Sequence, residues 1–288
     1  MKSYNWLFLI SLLFCSCIFH PANRYVYAAQ PANVPYFKQK GDAKITGYSS
    51  DGTDFTQKDG GTSIQGAYAV SNHWAITAAF NHWKQKQVYY YDSSRYYSSF
   101  SQGYVRTNVF DSSLINYKNN TFELGGGYYT ALNKKKTITY NLYGGVAIGK
   151  YAINDAGLDS NNKNYTRFNT NNVTKWYLQG AFNFMPSPYF YCSIGGNFSV
   201  LNFSSKNTTY SNQELEYFYL NKINNKSFFM WEPYFNMQIG VPKINWVKLD
   251  MQLSWSTGFS RIDYPKVRTF IGSIGGTINI GEALRKVK

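Results

Sequence analysis

Val247-Lys248-Leu249-Asp250-Met251-Gln252-Leu253-Ser254-Trp255-Ser256 alternates apolar and polar residues without a break. Successive side chains of a β-strand point to opposite faces, so this stretch is a strand with one oily and one wet face. The same rule sets Phe229, Trp231, Phe235, Met237 and Ile239 against Met230, Glu232, Tyr234, Asn236 and Gln238. Pro233 removes a ladder donor from that strand and predicts a bulge. Trp176, Leu178, Phe182 and Phe184 oppose Tyr177, Gln179, Ala181 and Asn183, and Phe190, Cys192, Ile194, Phe198 and Val200 oppose Tyr191, Ser193, Asn197 and Ser199. Five further strands lie at 64–70, 74–80, 122–128, 138–148 and 270–280, and the faintest is at 44–49.

Composition decides which face meets which solvent. Aromatics make up 19% of the 288 residues and charged residues only 15%, against about 25% charged in an ordinary soluble domain. A mean hydropathy of −0.40 excludes a bundle of apolar spanning helices. A membrane barrel exposes only every second residue to lipid, so it can be hydrophilic on average. The polar faces carry Gln, Asn, Ser and Tyr, which suit a packed lumen better than a solvated surface. Trp74, Trp83, Trp176, Tyr189, Trp231 and Trp246 sit near strand ends, where interfacial girdles belong. The competing reading is a soluble sandwich or lipocalin-like barrel, whose oily faces would form the core.

Connections between strands alternate strictly. Turns at 71–73, 133–136, 185–188 and 241–245 are short, whereas 51–61, 85–118, 152–172, 204–226 and 261–265 are longer and polar. Short periplasmic turns and long external loops are the habit of outer-membrane barrels, and an even strand count keeps both barrel ends in the periplasm. The fold expected is an all-β, transmembrane, antiparallel up-and-down barrel of ten strands in the outer membrane. It falls to eight if 44–49 does not pair.

The start of the chain has the layout of an export signal: Lys2, an apolar run from Trp6 to Phe14, then Cys15-Ser16-Cys17. Ser16 before Cys17 suits lipoprotein processing with acylation of Cys17, and cleavage after Val26-Tyr27-Ala28 is the alternative. The expected organisation is a signal over 1–16, a periplasmic linker over 17–41 marked by Pro21, Pro31 and Pro35, a barrel over 42–281 and a periplasmic tail over 282–288. Cys192 is the one cysteine beyond Cys17, so no disulfide framework holds the fold.

Pro31-Ala32-Asn33-Val34-Pro35-Tyr36-Phe37-Lys38-Gln39-Lys40-Gly41-Asp42, followed by Gln65-Gly66-Ala67-Tyr68-Ala69-Val70-Ser71-Asn72-His73-Trp74-Ala75, resembles a group of Bacteroidota outer-membrane barrel proteins. These carry a lipoprotein-type signal, an Asn-x-Pro-Leu-Phe-like segment, a Lys-Gly-Glu-like strand start and an Ala-Tyr-Ala-Val-Thr-Asn-His-like hairpin. The motif match covers residues 17–80, with Tyr36 and Asp42 as departures. The resemblance implies a barrel fold and an outer-membrane location, and no established activity. Many barrels end on an aromatic residue, whereas this chain continues through Gly281-Glu282-Ala283-Leu284-Arg285-Lys286-Val287-Lys288.

Function is less legible. The net charge of +14 fits anionic lipid, and no nucleic-acid-binding motif accompanies it. Glu123, Lys175, Glu232, Lys248 and Asp250 are expected to face inward and to plug the lumen as a charged network, with a narrow pore as the alternative. Tyr89, Tyr90, Tyr91, Tyr96, Tyr97 and Phe100 lie in a Ser- and Asn-rich loop, a composition that suits binding of a glycan or protein partner. The plainer reading of that loop is a solvated extension of the strands. His82 and Glu123 stand at similar heights and could serve a lipid-modifying hydrolase, but alternation puts His82 towards lipid and Glu123 towards the lumen. No residue spacing fits a metal site, a phosphate loop or a cofactor. The function expected is therefore a non-enzymatic surface barrel with a structural or ligand-binding role, the alternatives being a small-solute pore and a lipid-modifying enzyme.

Overall fold

The structure, a computed structural model, describes residues 24–52, 59–90, 95–98, 103–106, 112–158, 163–223, 227–241, 244–258 and 266–287. The ten barrel strands are β1 (Ala43–Gly52), β2 (Asp59–Ala69), β3 (Trp74–Tyr90), β4 (Ser112–Ala131) and β5 (Ile138–Leu158), then β6 (Asn164–Ser187), β7 (Phe190–Thr208), β8 (Ser227–Val241), β9 (Ile244–Trp255) and β10 (Phe270–Asn279). Each pairs antiparallel with its neighbours in the chain. β10 pairs with β1 from Asn279↔Lys44 to Ile271↔Gly52 and closes the barrel. The faint first strand is thus fully paired on both edges, and the ten-strand count stands.

The two faces settle the solvent question. Phe229, Trp176, Ile194 and Phe198 point outward and are more than half exposed, whereas Asn236, Asp250, Asn183 and Ser193 point inward and are fully buried. A soluble barrel buries its oily face, so this inside-out arrangement belongs to a barrel in a bilayer. No described helix is long and apolar enough to cross a membrane, and the strands do the crossing.

Strand register ranks the outward residues in rows. Ala78, Leu124, Val146 and Trp176 form one row, and Phe80, Phe122 and Ile148 form the next one up. The row above reads His82, Asn120, Lys150 and Asn172, and the next Lys84, Lys118, Ala152 and Thr170. Apolar exposure gives way to polar exposure within one row, which marks the external edge of the hydrocarbon layer. Above that edge the interior changes as well. Ile115, Tyr117, Tyr151 and Ile153 face inward there and join an apolar cluster that reaches down to Phe203 and Leu201. The barrel has an oily exterior below and a polar exterior above, where its interior mixes that apolar cluster with buried Gln85, Gln87, Asn119, Asn169 and Asn171.

Glycines make room inside. Cross-strand neighbours Gly127 and Tyr143, Gly145 and Tyr177, Gly195 and Tyr234, Gly275 and Tyr48, and Gly61 and Trp83 all place an inward ring over a glycine. A Cβ at any of these glycines would collide with its ring. The rings therefore lie flat along the wall, an arrangement of aromatics covering glycines that also pins register.

Several expectations change. Trp83 is not a girdle residue: nine positions from outward Trp74 is an odd step, so it points inward, 2% exposed, against Ala28, Ala29 and Ile271. Pro233 causes no bulge, because β8 keeps one register against β7 through Gly196↔Pro233. On its other edge the ladder lapses around Ser256, whose N–H donates to the Thr269 carbonyl at 2.8 Å instead. The expected long loops at 85–118 and 152–172 are largely strand: β3 and β4 stay paired up to Tyr90↔Ser112, and β5 and β6 up to Leu158↔Asn164. The segment 204–226 continues β7 to Thr208 and then folds as α1 (Asn212–Tyr217) and a 3-10 turn (Leu220–Lys222). The expected tail begins as the helix α2 (Ile280–Val287).

Gly145→Val tests the aromatic covering. Its branched side chain meets the Leu124 carbonyl and the Tyr177 ring, so we expect a loss of about 1–3 kcal/mol, read as a lower urea midpoint in detergent. An unchanged midpoint contradicts it.

Candidate functional site: a plugged lumen

The segment expected to be a periplasmic linker is inside the barrel over its described part. Arg24, Val26, Tyr27, Ala28, Ala29, Ala32, Val34 and Phe37 are each at most 5% exposed. The path is ordered along the barrel axis. Arg24 meets Asp155 near the external end of β5, and Tyr25–Ala28 pairs parallel with the short strand Lys266–Arg268 beside the last external loop. Ala32 and Val34 pack on Ala181 and Tyr234 at mid-height, and Phe37 packs on Ala69, Ala75 and Tyr129 at the periplasmic rim. Tyr36 donates to the Lys136 carbonyl of the periplasmic turn. Burial pushes its hydroxyl up to about 12, so it stays a donor. Residues 17–23 lie outside the described residues.

An extended segment without a sheet partner needs bonds for its backbone, and a lumen offers no bulk water. The inward side chains supply them. Gln65 of β2 donates to the Pro31 carbonyl at 2.6 Å, Gln179 of β6 to that of Asn33 at 2.8 Å, Lys44 of β1 to that of Val34 at 3.0 Å, and Asn141 of β5 to that of Pro35 at 2.7 Å. Gln252 of β9, with its amide turned to satisfy both groups, brackets Ala32: it donates to the carbonyl at 3.1 Å and accepts from the N–H at 2.7 Å. Five consecutive carbonyls are thus held by five different strands. Pro31 and Pro35 have no N–H to satisfy, which is why prolines fit here. The Asn33 amide reaches outward to the Gly66 carbonyl at 2.8 Å.

Buried ions cluster at three levels. Externally, Asp155 accepts from Arg24 at 2.5 Å and Tyr210 at 3.1 Å. The Arg24 guanidinium lies 4.1 Å from the Phe218 ring centroid, so the folded segment 209–223 caps the same end. Phe218, Leu220 and Ile223 are buried there with Tyr27 and Val26, and Arg167 on β6 pairs with Glu214 of α1 at 2.5 Å. One level down, Lys175 bridges Glu232 at 2.6 Å and the Tyr27 hydroxyl at 2.8 Å, and that hydroxyl donates to Glu232 at 2.8 Å. Glu123 shares this level through the register Glu123↔Ala147 and Ala147↔Lys175. Deeper, Asp250 accepts from Asn236, Gln238 and Thr277 at 2.5–2.7 Å, with Lys44 at 3.8 Å. Lys248 is buried one inward step below Asp250. The inward charges therefore divide among separate clusters, and no periodicity signals Tyr27 and Arg24 as their partners.

His82 and Glu123 are on opposite faces of the wall. His82 pairs with Asn120 across the strands, their side chains 2.6 Å apart, and Glu123 stands opposite Ala79. Tyr89 and Tyr90 end β3, and Tyr96 and Tyr97 lie in a small hairpin of Arg95–Ser98 and Gly103–Arg106; only their backbone is described. Tyr91 and Phe100 lie outside the described residues. Cys192 faces outward, half-buried, with a free thiol. No group of His, Cys, Asp or Glu among the described residues could hold a metal.

A scan of protein-family models and a search of curated proteins each returned no match. Solved structures similar to this chain include Ail, the attachment invasion locus protein of Yersinia pestis, at 11% identity and a TM-score of 0.30 over 83% of this chain and 98% of that one. A major outer membrane protein from Thermus thermophilus is similar at 9% identity and a TM-score of 0.33, over 82% and 98%. Outer membrane phospholipase A from Escherichia coli is similar at 11% identity and a TM-score of 0.23, over 83% and 92%. The chain is an outer-membrane β-barrel protein, as its oily exterior and polar lumen require.

Lys175→Met leaves Glu232 buried without its cation, and we expect it to cost about 3–5 kcal/mol. Lys175→Met with Glu232→Leu should recover most of that loss, because removing both charges also removes the desolvation cost. Unfolding of the two variants in detergent checks it, and equal loss in both contradicts the pairing.

Proposed function

We propose that the protein is a non-conducting, non-enzymatic surface barrel, in which the membrane half is a support and the water-exposed upper half and its loops present a binding surface. The observation that carries this reading is the lumen, filled from Arg24 to Phe37 and covered externally by 209–223. A filled lumen weighs against the pore. The separation of His82 from Glu123 by the barrel wall weighs against their use as a catalytic pair. The strands β3 and β4 stay paired beyond the apolar rows up to Tyr90↔Ser112, which supports the view that the Tyr-rich loop is held away from the membrane as a contact surface for a glycan or protein.

The lipoprotein reading and the resemblance to Bacteroidota barrels belong to the same proposal. Cleavage after Ala28 would remove Arg24 and Tyr27, stripping Asp155 and Glu232 of partners inside the barrel. Processing upstream of Arg24, with acylation of Cys17, keeps both, and the mass of the mature chain reports which occurs.

Planar-bilayer recording tests the central point. We expect inserted protein, verified by heat-modifiable migration, to give no unitary conductance. Stable channels from the intact chain contradict the proposal.

A further inference from the structure

The outer wall carries two features that the plugged lumen does not use, one above the other. The first is an apolar groove of about 750 Å³ running across β4 to β8. Its walls are Leu124, Val146, Trp176, Leu178, Phe198 and Phe229, and its floor opens at Gly144, which has no side chain to fill it. The second is a basic field that begins two rows higher. Lys150 stands in the row beyond Phe80, Phe122 and Ile148, and Lys84 and Lys118 face each other directly one row higher, with Lys86 beyond them. All four lysines are exposed.

This arrangement is costly without a ligand. Residues directly opposite in an antiparallel pair have Cβ atoms about 4.5–5.5 Å apart, and like charges there repel. Among the described residues no ion pair engages these four lysines, and the carboxylates of these strands, Glu123 and Asp155, point inward. The height is also specific. Rows along a strand are about 6.6–6.8 Å apart, so the lysines begin roughly 13 Å above the upper row of the groove, and their flexible stems can bend towards the interface. That is the level of lipid headgroups, where an anion finds several donors at once.

We propose that β3 to β5 and the groove below form a binding site for a phosphate-bearing lipid of the outer leaflet, with phosphate on Lys84, Lys118 and Lys150 and an acyl chain laid over Gly144. The charge supplies headgroup selection and the groove supplies chain contact. Each component predicts a separate loss.

The test is retention of lipid A, which carries two phosphates, by the full-length barrel through detergent exchange, followed by native mass spectrometry. We expect wild type to retain it and Lys118→Gln/Lys150→Gln to retain roughly tenfold less. A Lys134→Gln/Lys135→Gln control on a periplasmic turn should behave as wild type, and all variants should keep heat-modifiable migration. Dephosphorylated lipid A should be lost from wild type. Gly144→Trp, which fills the groove, should weaken lipid A retention while leaving weak inorganic pyrophosphate binding unchanged. Equal retention by the lysine double variant, or retention of dephosphorylated lipid, overturns the headgroup site. Retention unaffected by Gly144→Trp, or pyrophosphate bound as tightly as lipid A, overturns the lipid as its ligand.

Discussion

Five carbonyls in a row, from Pro31 to Pro35, are bonded by side chains from five strands of the barrel wall. This is the constraint on which the rest depends. A ten-strand barrel has an interior that must be filled, and polar inward faces suit a filler that is itself polar along its backbone. An extended peptide is such a filler. It supplies carbonyls in a line, and two prolines remove donors that would otherwise need acceptors. In return Gln65, Gln252, Gln179, Lys44 and Asn141, whose donors are costly if buried unbonded, each gain an acceptor.

The wall is shaped around that filler. Tyr48, Tyr143, Tyr177 and Tyr234 lie flat over glycines on neighbouring strands rather than reaching across the lumen. Above the apolar rows an apolar cluster, built from the strand extensions, the capping segment and Val26 and Tyr27, joins the polar lining, in which Gln85, Gln87, Asn119, Asn169 and Asn171 stay buried. The same peptide thus crosses both regimes. Arg24 with Asp155 pins it at the external end, and Tyr27 with Lys175 and Glu232 pins it at the lower level that Glu123 shares. Buried pairs of this kind are a modest source of net stability and a strong source of register, since breaking one leaves a charge in the lumen.

Where hydrophobic contrast between faces is high, the strands are readable from sequence. Val247 to Ser256 and the strand carrying Glu232 have one oily and one wet face because one side meets lipid. Lys44 to Ser49 is faint because its outward positions Gly47 and Ser49 are small, although Thr46 and Tyr48 pack inside. The residues 152–172 read as loop because both faces there carry Asn and Thr; above the membrane edge no lipid demands contrast. The plug is illegible for a different reason. Its partners are Gln65, Gln252, Gln179, Lys44 and Asn141, spread over five strands, and no local period encodes such bonds. Its prolines read as a linker, although the same lack of donors suits a buried extended chain. Inward-facing Lys175 and Glu232 can be read from alternation, but Tyr27 between them cannot.

The most direct measurement is disulfide trapping across the plug and the wall. Ala32 and Ala181 pack in one buried cluster with Val34 and Tyr234. In a chain whose native cysteines are serine, Ala32→Cys with Ala181→Cys should oxidise to a bridge in the folded, bilayer-inserted barrel, shown by altered migration that reductant reverses. If a control pair on adjacent strands bridges readily while this pair stays reduced, the segment 24–37 is not in the lumen and the account fails.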